Sequence, residues 1–284
     1  MTKSYFTKKD TTWFYISLFY SRNDWGKLIN EILSFYQQKK ALFNNCIIYL
    51  SEEKGEHVQL VLSTKSDNND LDLIKENTEK HFHLFISENP SDNSKPFKYG
   101  EEIWCDYPNN SIAWNRFQYT LADDSLKIDF SQSTSSMMVE LMDGDYSLNN
   151  TISTAIFMCT KVEKTYSDIY GEKLRIDVID KALSQLAVDS LNKSFVTEFK
   201  LDEKLDIYGI SLKDVMGTID YYWEYKDDYS PVYRQWENEV KRTLYITPLY
   251  FLSLNYLIWY HLNIYDTMKV MIFRLLREWC KVNM

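Results

Sequence analysis

The sequence predicts an α+β protein, in which a mixed or antiparallel sheet in the N-terminal half is packed by a largely helical C-terminal half. Three observations support this. Apolar runs of strand length occupy the first part of the chain, and from Asp129 onward the apolar period becomes helical. With 7 Gly and 5 Pro, the chain has few residues for the turns of an all-β fold. We expect a single domain over residues 1–284, strand-rich over 1–125 and helical over 126–284.

The first elements read as a strand followed by a helix. Residues 13–20 form an aromatic and β-branched run, WFYISLFY, which is typical of a buried strand. Residues 25–36 place their apolar side chains on one stripe of a helix, and Ser21 and Asp24 are candidate caps for its start.

The next elements alternate between strand and helix patterns. Residues 45–50 and 57–63 predict two strands joined by a turn. Residues 67–81 predict a polar helix, and residues 83–86 are expected to form another short strand. Residues 87–100 collect Ser, Asn, Asp, Pro and Gly, so they predict a loop.

The second half reads as a series of helices. Pro231 is expected in the first turn of one of them, with Ser230 as its cap. The helical periods cover residues 130–142, 148–158, 174–187, 215–220 and 231–244.

A nearly continuous apolar helix lies near the C-terminus, over residues 249–260. Apolar residues on almost every side predict a helix buried all round. A membrane span needs roughly 20 apolar residues, and Asn255 and His261 interrupt this run too early. Tyr256 lies one turn from both Ser253 and Tyr260, so the three hydroxyls share a face. This face either forms hydrogen bonds inside the core or lines a pocket.

The composition limits the classes of function. A formal net charge of −9 disfavours a general nucleic-acid binder. The four Cys are far apart and the N-terminal residues lack the apolar core of a signal peptide, so we expect a cytoplasmic protein with reduced thiols and no membrane span. His81 and His83 could supply two metal ligands at most. We therefore expect neither a metal nor an organic cofactor.

Three blocks resemble the small-domain family found at the C-terminus of lantibiotic dehydratases and as free-standing thiopeptide biosynthesis proteins. The first is the aromatic strand and helix of residues 13–36. The second is the hairpin 45–62, NCIIYLSEEKGEHVQLVL, with Gly55 and His57 in the matching places. The third is SLNYLIWYHLNI, residues 253–264. The resemblance spans nearly the whole chain and implies an α+β fold and a peptide substrate.

The departures from the family pattern bear on the chemistry. Members that eliminate glutamate carry two His, an Asn and an Arg on the last helix, and the hairpin of the family carries arginines. Both sets of cations are lost here. The corresponding residues are Tyr256, Ile258, Tyr260 and His261 on the helix, and Gln59 and Val61 in the hairpin.

The resemblance therefore implies an enzyme like the free-standing pyridine synthases of the family. Their reaction is a formal 4+2 cycloaddition between two dehydroalanines of one thiazolyl peptide, with loss of water and of the leader peptide. One amide must pass to its imidic-acid tautomer, which requires a hydrogen-bond donor near its carbonyl oxygen. We expect Tyr256 to be that donor, with Ser253 and Tyr260 assisting.

Further candidates lie on the aromatic segment after the loop and on the last helix. Asp106 is a candidate catalytic residue. The candidates for substrate binding are Arg116, Trp104, Tyr119 and His261. A second aromatic group could form a lid or plain packing, and consists of Trp223, Tyr225, Tyr229, Tyr233 and Trp236.

The expected partner is a precursor peptide made of a leader and a dehydrated thiazolyl core. The leader could bind by strand addition to the sheet or by helix docking in a groove. Two alternative functions stay open. One is elimination of glutamate from glutamylated Ser or Thr, and the other is non-catalytic binding of the precursor peptide. The sequence does not determine the oligomeric state.

Overall fold

The computed structural model of the chain describes residues 5–8, 10–65, 71–92, 107–114, 125–189, 201, 211–224 and 230–283. The chain divides into two compact units, Met1–Ser147 and Leu148–Met284. The first unit holds an antiparallel sheet with helices, and the described part of the second is helical. The α+β class that the sequence predicts is therefore confirmed.

The sheet of the first unit is antiparallel at every pairing. β2 pairs with β4 on one side, and on its other side with β1 and then β5 along its length. Among the described strands, β3 pairs with β4 alone and forms an edge of the sheet. The strands are β1 (Tyr5–Lys8), β2 (Thr11–Phe19), β3 (Asn45–Ser51), β4 (His57–Lys65) and β5 (Ser111–Trp114).

Two helices complete a split βαβ arrangement. α1 (Trp25–Gln38) connects β2 to β3, and α2 (Leu71–Glu88) connects β4 towards β5. With a spatial strand order of β5-β2-β4-β3, this is the ferredoxin-like topology. The two helices pack against each other, with the rings of Phe35 and Phe82 at 5.2 Å.

A third helix, α3 (Ser125–Met142), covers the edge of β3. Ser135 Oγ accepts a hydrogen bond from the backbone N–H of Ile48 at 2.9 Å and lies 3.2 Å from the carbonyl oxygen of Ile48. A strand added at this edge would form its hydrogen bonds to the same N–H and carbonyl oxygen of Ile48. Strand addition is therefore blocked at this point of the β3 edge.

Two details of the first unit differ from the sequence-based expectation. Residues 83–86, expected as a strand, belong to α2, because Ile74, Thr78, Phe82 and Ile86 repeat every four residues and bury one continuous stripe. The expected caps of α1 do not form, since neither Ser21 nor Asp24 makes a side-chain cap bond. The backbone N–H of Ser21 is instead bound by Ser91 Oγ at 3.0 Å.

The second unit is built around one long helix. α4 (Leu148–Tyr170) is buried on nearly every side between Thr154 and Ser167. Ser230 accepts the backbone N–H of Tyr233 at 3.1 Å, so the predicted cap with Pro at the first turn is confirmed. The other helices are α5 (Arg175–Asp189), α6 (Leu212–Glu224), α7 (Pro231–Ile246), α8 (Tyr250–Leu262) and α9 (Asp266–Val282).

Over the described ranges, no helix combines sufficient length with sufficient mean hydropathy to cross a bilayer. The apolar helix α8 has 13 residues.

Gly26 of α1 lies close to the backbone of the turn at Gly144, and this contact can be tested by substitution. A Cβ at Gly26 would lie 2.7 Å from the carbonyl oxygen of Gly144, closer than real Cβ contacts allow. We expect Gly26→Ala to lower the free energy of unfolding by about 1–3 kcal/mol, because backbone must move to relieve the contact. Urea unfolding followed by circular dichroism measures this change.

The matched control is Gly217→Ala on α6, where nothing lies within 4 Å of an added Cβ. Alanine there is expected to stabilise the helix by about 0.5–1 kcal/mol, because it reduces the entropy of the unfolded chain. Opposite signs for the two variants support the close approach at Gly26. A Gly26→Ala variant as stable as the parent chain would contradict it.

Candidate functional site

The candidate site is built on α8, whose two ends are fixed by backbone geometry. α7 ends at Ile246 and the next residue, Thr247, is extended; Tyr250 N–H then donates a hydrogen bond to the carbonyl oxygen of Thr247 at 3.2 Å. At the other end Asn263 takes the left-handed conformation, with φ 53° and ψ 47°. This turn ends the helix and lets α9 begin three residues later. The two helices are thus joined by a short, specific connection.

The inner face of α8 carries large aromatic side chains. Phe251 packs edge-to-face against Tyr166 of α4, with ring centroids 5.3 Å apart. Trp259 packs against Phe273 of α9 at 4.9 Å. Phe251, Trp259 and Phe273 are each at most 1% exposed. Aromatic packing to two helices therefore fixes the rotation of α8 about its own axis.

The outer face of α8 is open. Leu249 is 83% exposed and Tyr260 is 48% exposed, while Ser253 and Tyr256 between them are half-buried. These four residues recur at spacings of four, three and four, so they lie on one side of the helix. The expectation of a helix buried all round is wrong for this side, because α4 and α9 cover only the inner face. The three hydroxyl-bearing residues share a partly exposed side of the helix, which we call the α8 outer face.

A cation lies beside this face that the sequence pattern did not reveal. Lys269 Nζ is 5.9 Å from the ring centroids of both Tyr256 and Trp259. It also donates a hydrogen bond to Asp266 Oδ1 at 2.9 Å. Lys269 stands 13 positions after Tyr256 in the sequence, and only the left-handed turn at Asn263 brings it back. The available signal in the sequence was Asn263, followed by a second series of apolar residues at helical spacing.

The structure places the remaining candidates differently. His261 is fully buried on the inner side of α8 and does not belong to the α8 outer face. The other four candidates, Asp106, Arg116, Trp104 and Tyr119, lie outside the described residues.

Two hairpin residues that the sequence comparison singled out, Gln59 and Val61, are buried in the sheet. Gln59 is 1% exposed, and its Oε1 accepts a hydrogen bond from Ser17 Oγ at 2.8 Å. Val61 is fully buried. These residues act in packing, and neither offers a side chain to a ligand at the surface.

The described members of the second aromatic group pack against other side chains. Tyr233 and Trp236 are buried in α7, and the half-buried Trp223 of α6 packs against Trp279 with ring centroids 4.5 Å apart. Tyr225 and Tyr229 lie outside the described residues. The positions of the described residues of this group therefore support a packing role rather than a lid.

A buried polar cluster joins α4 to α9 on the inner side of the second unit. Cys280 Sγ donates to Glu163 Oε1 at 3.8 Å, and Glu163 is fully buried. Burial raises the pKa of Glu163 to about 8, and the positive charge of Arg175 and the thiol of Cys280 oppose part of that rise. The Arg175 guanidinium lies 5.4 Å and 5.3 Å from the rings of Trp223 and Trp279. This cluster supports the helices and does not reach the α8 outer face.

Other features of the second unit are separate from that face. An open hollow of about 530 Å³ lies on α5 and is lined by polar side chains from Asp177 to Gln185, none of them on α8. Within the described ranges, no three His, Cys, Asp or Glu side chains come together as ligands for a metal ion. The described cysteines are buried free thiols at positions 46, 159 and 280.

Comparison with known proteins gives a likeness in fold. No family model matches the chain, and no curated protein matches its sequence. Among solved structures, the chain is similar to "Pyridine synthase, TbtD, from thiomuracin biosynthesis", with a TM-score of 0.62 and 13% identity. The match covers 94% of this chain and 97% of that one. At this identity the likeness establishes a shared fold.

The buried carboxyl of Glu163 predicts a pH dependence of stability. Its pKa is raised from 4.5 to about 8 in the folded chain. Below about pH 4.5 the group is protonated in both states. Between about pH 4.5 and 8 the unfolded chain releases a proton that the folded chain keeps, so stability falls as pH rises, by at most about 1.4 kcal/mol per pH unit.

Glu163→Gln removes this titration and keeps the size of the side chain. We expect its stability to fall less between pH 5 and pH 8 than that of the parent chain, when urea unfolding is measured across this interval. The control is Glu278→Gln on α9, where the side chain is 38% exposed. If Glu163→Gln and the parent chain show the same slope, the carboxyl does not carry the raised pKa.

Proposed function

We propose that the chain is a macrocyclising pyridine synthase of thiopeptide biosynthesis, acting at the α8 outer face. Its substrate would be a thiazolyl peptide that carries two dehydroalanines and a leader. The two alkenes join in a formal 4+2 cycloaddition, and loss of water and of the leader as an amide gives the pyridine ring of a macrocycle.

The observation that carries this proposal is the open hydroxyl-bearing face of a rigidly packed helix. Ser253, Tyr256 and Tyr260 are all reachable from solvent, while aromatic packing holds the inner face. The likeness in fold supports it, because it extends over nearly all of both chains and the matched protein is named a pyridine synthase. The resemblance of the sequence blocks to free-standing thiopeptide biosynthesis proteins agrees with this likeness.

The reaction needs orientation first. Two distant alkenes of one peptide must meet, and holding them in place can supply roughly 7–11 kcal/mol of the barrier. The rings of Tyr256 and Tyr260 can stack on flat thiazoles, each contact worth about 0.5–1.5 kcal/mol. A peptide laid along the outer face would thus be held by rings spaced one helical turn apart.

The reaction also needs a polarised amide. In the imidic-acid tautomer the carbonyl oxygen gains a proton and the nitrogen loses one. In our proposal, Tyr256 transfers its hydroxyl proton to that oxygen. Ser253 or Tyr260 takes the proton from the nitrogen and passes its own hydroxyl proton to Tyr256, so that both hydroxyls end neutral. Asp106 remains a further candidate for proton transfer, and Trp104, Arg116 and Tyr119 remain candidates for substrate binding.

One assay separates this function from its alternatives. The protein is incubated with a linear thiazolyl peptide that contains dehydroalanine, and separately with a glutamylated precursor, and the products are read by mass spectrometry. A macrocycle together with a released leader amide supports the cyclase. Loss of glutamate would identify an eliminase, and tight binding without a mass change would identify a peptide-binding module.

Tyr256→Phe tests the proposed donor. We expect turnover of the linear peptide to fall by about 10²-fold or more, because a positioned proton donor contributes on this scale. Binding of the leader, measured by fluorescence anisotropy, should be unchanged.

The matched control is Tyr245→Phe on α7, where the ring is 70% exposed. It loses the same hydroxyl outside the proposed site, so its turnover is expected to equal that of the parent chain. Undiminished turnover by Tyr256→Phe would remove this hydroxyl from the reaction.

A further inference from the structure

Lys269 differs from an ordinary surface lysine in how firmly its ammonium is held. It is bound to Asp266 at 2.9 Å and lies 5.9 Å from the faces of two aromatic rings. Its side chain is 19% exposed. A mobile lysine loses rotamer entropy when it binds a ligand, and most of that loss has already been incurred here. The ammonium is therefore preorganised beside Tyr256.

The ammonium retains hydrogen-bonding capacity. A lysine ammonium has three N–H donors, and its hydrogen bond to a described residue uses one of them, on Asp266. The faces of Tyr256 and Trp259 attract its charge without using a donor in a conventional hydrogen bond. Donors thus remain for an acceptor atom that arrives at the α8 outer face.

We propose that Lys269 orients the substrate by donating a hydrogen bond to a carbonyl oxygen of the dehydroalanine-containing peptide. The identity of this ligand rests on the function proposed above, whereas the position of the cation does not. The peptide lies along the α8 outer face, with Tyr256 and Lys269 binding different acceptor atoms of its backbone. Lys269 is then a specificity-determining residue.

The charge balance favours a neutral acceptor over a carboxylate. Asp266 lies one turn before Lys269 and offsets its positive charge at 2.9 Å. A carboxylate from a glutamylated peptide would meet Asp266 as a like charge. A carbonyl oxygen accepts a hydrogen bond without that repulsion. The pair of side chains is therefore suited to an uncharged peptide amide.

The test compares Lys269→Met, Lys269→Arg and the parent chain by fluorescence anisotropy, with a labelled linear thiazolyl peptide that contains dehydroalanine. Methionine keeps an unbranched stem and removes the donors, so we expect Kd to rise roughly tenfold to hundredfold, the range for a hydrogen bond to a charged group. Arginine keeps a cation with a different shape, so its Kd is expected to lie between the parent value and that of Lys269→Met.

The matched control is Lys281→Met, on the same helix. Lys281 makes the same type of ion pair, three residues after Glu278, with its ammonium at 2.6 Å from the carboxylate. Its loss is expected to leave Kd unchanged. The proposal would be overturned if Lys269→Met bound the peptide with the Kd of the parent chain. It would also be overturned if Lys281→Met lost as much affinity as Lys269→Met.

A second variant, Asp266→Asn, tests the choice of ligand. Removing the negative charge should tighten binding of a glutamylated peptide several-fold relative to the dehydroalanine peptide. If Asp266→Asn and the parent chain show the same ratio of Kd values for the two peptides, the argument from charge balance is wrong.

Two results distinguish this inference from the function on which it rests. If the parent chain forms no macrocycle and binding of the dehydroalanine peptide still depends on Lys269, the cyclase fails and the orienting role stands. If macrocycle formation and Kd are both unaffected in Lys269→Met, the cyclase stands and the orienting role is wrong.

Discussion

The packing of α8 on one side only is the constraint on which the candidate site depends. Phe251 and Trp259 contact Tyr166 and Phe273, and these aromatic contacts determine which side of the helix is buried. A rotation of one residue, about 100°, would place large apolar side chains in water at a cost of about 1.5–3 kcal/mol each. The face with Ser253, Tyr256 and Tyr260 is therefore kept outward by the core behind it.

The same packing explains how the face gains a charge. The turn at Asn263 reverses the chain, and the burial of Phe273 sets the rotation of α9. That rotation brings Lys269 over the ring of Tyr256, where Asp266 reduces its net charge. The surface that results combines hydroxyls, aromatic rings and one compensated cation. Such a surface is suited to polarising amides and stacking on heterocycles, and is less suited to binding carboxylates.

The sequence predicted the parts of the fold that follow from local periodicity. The strands at residues 13–20, 45–50 and 57–63 and the cap at Ser230 are present, because each depends on side chains close in sequence. The segment 83–86 was mistaken for a strand, since its apolar residues are also the end of the α2 stripe. In the site, spacing alone put the three hydroxyls on one face. Residue spacing does not determine the exposure of that face or the distance between Lys269 and Tyr256, because both depend on how α8 packs against α4 and α9.

Photo-crosslinking tests most directly whether the peptide binds at the α8 outer face. The photoreactive residue p-benzoylphenylalanine is introduced in place of Leu249, which is 83% exposed on this face, and separately in place of Leu84, which is 56% exposed on α2. After irradiation with the linear dehydroalanine peptide, a covalent adduct at position 249 and only background at position 84 are predicted. An adduct at position 84 with none at position 249 would contradict the assignment of the site.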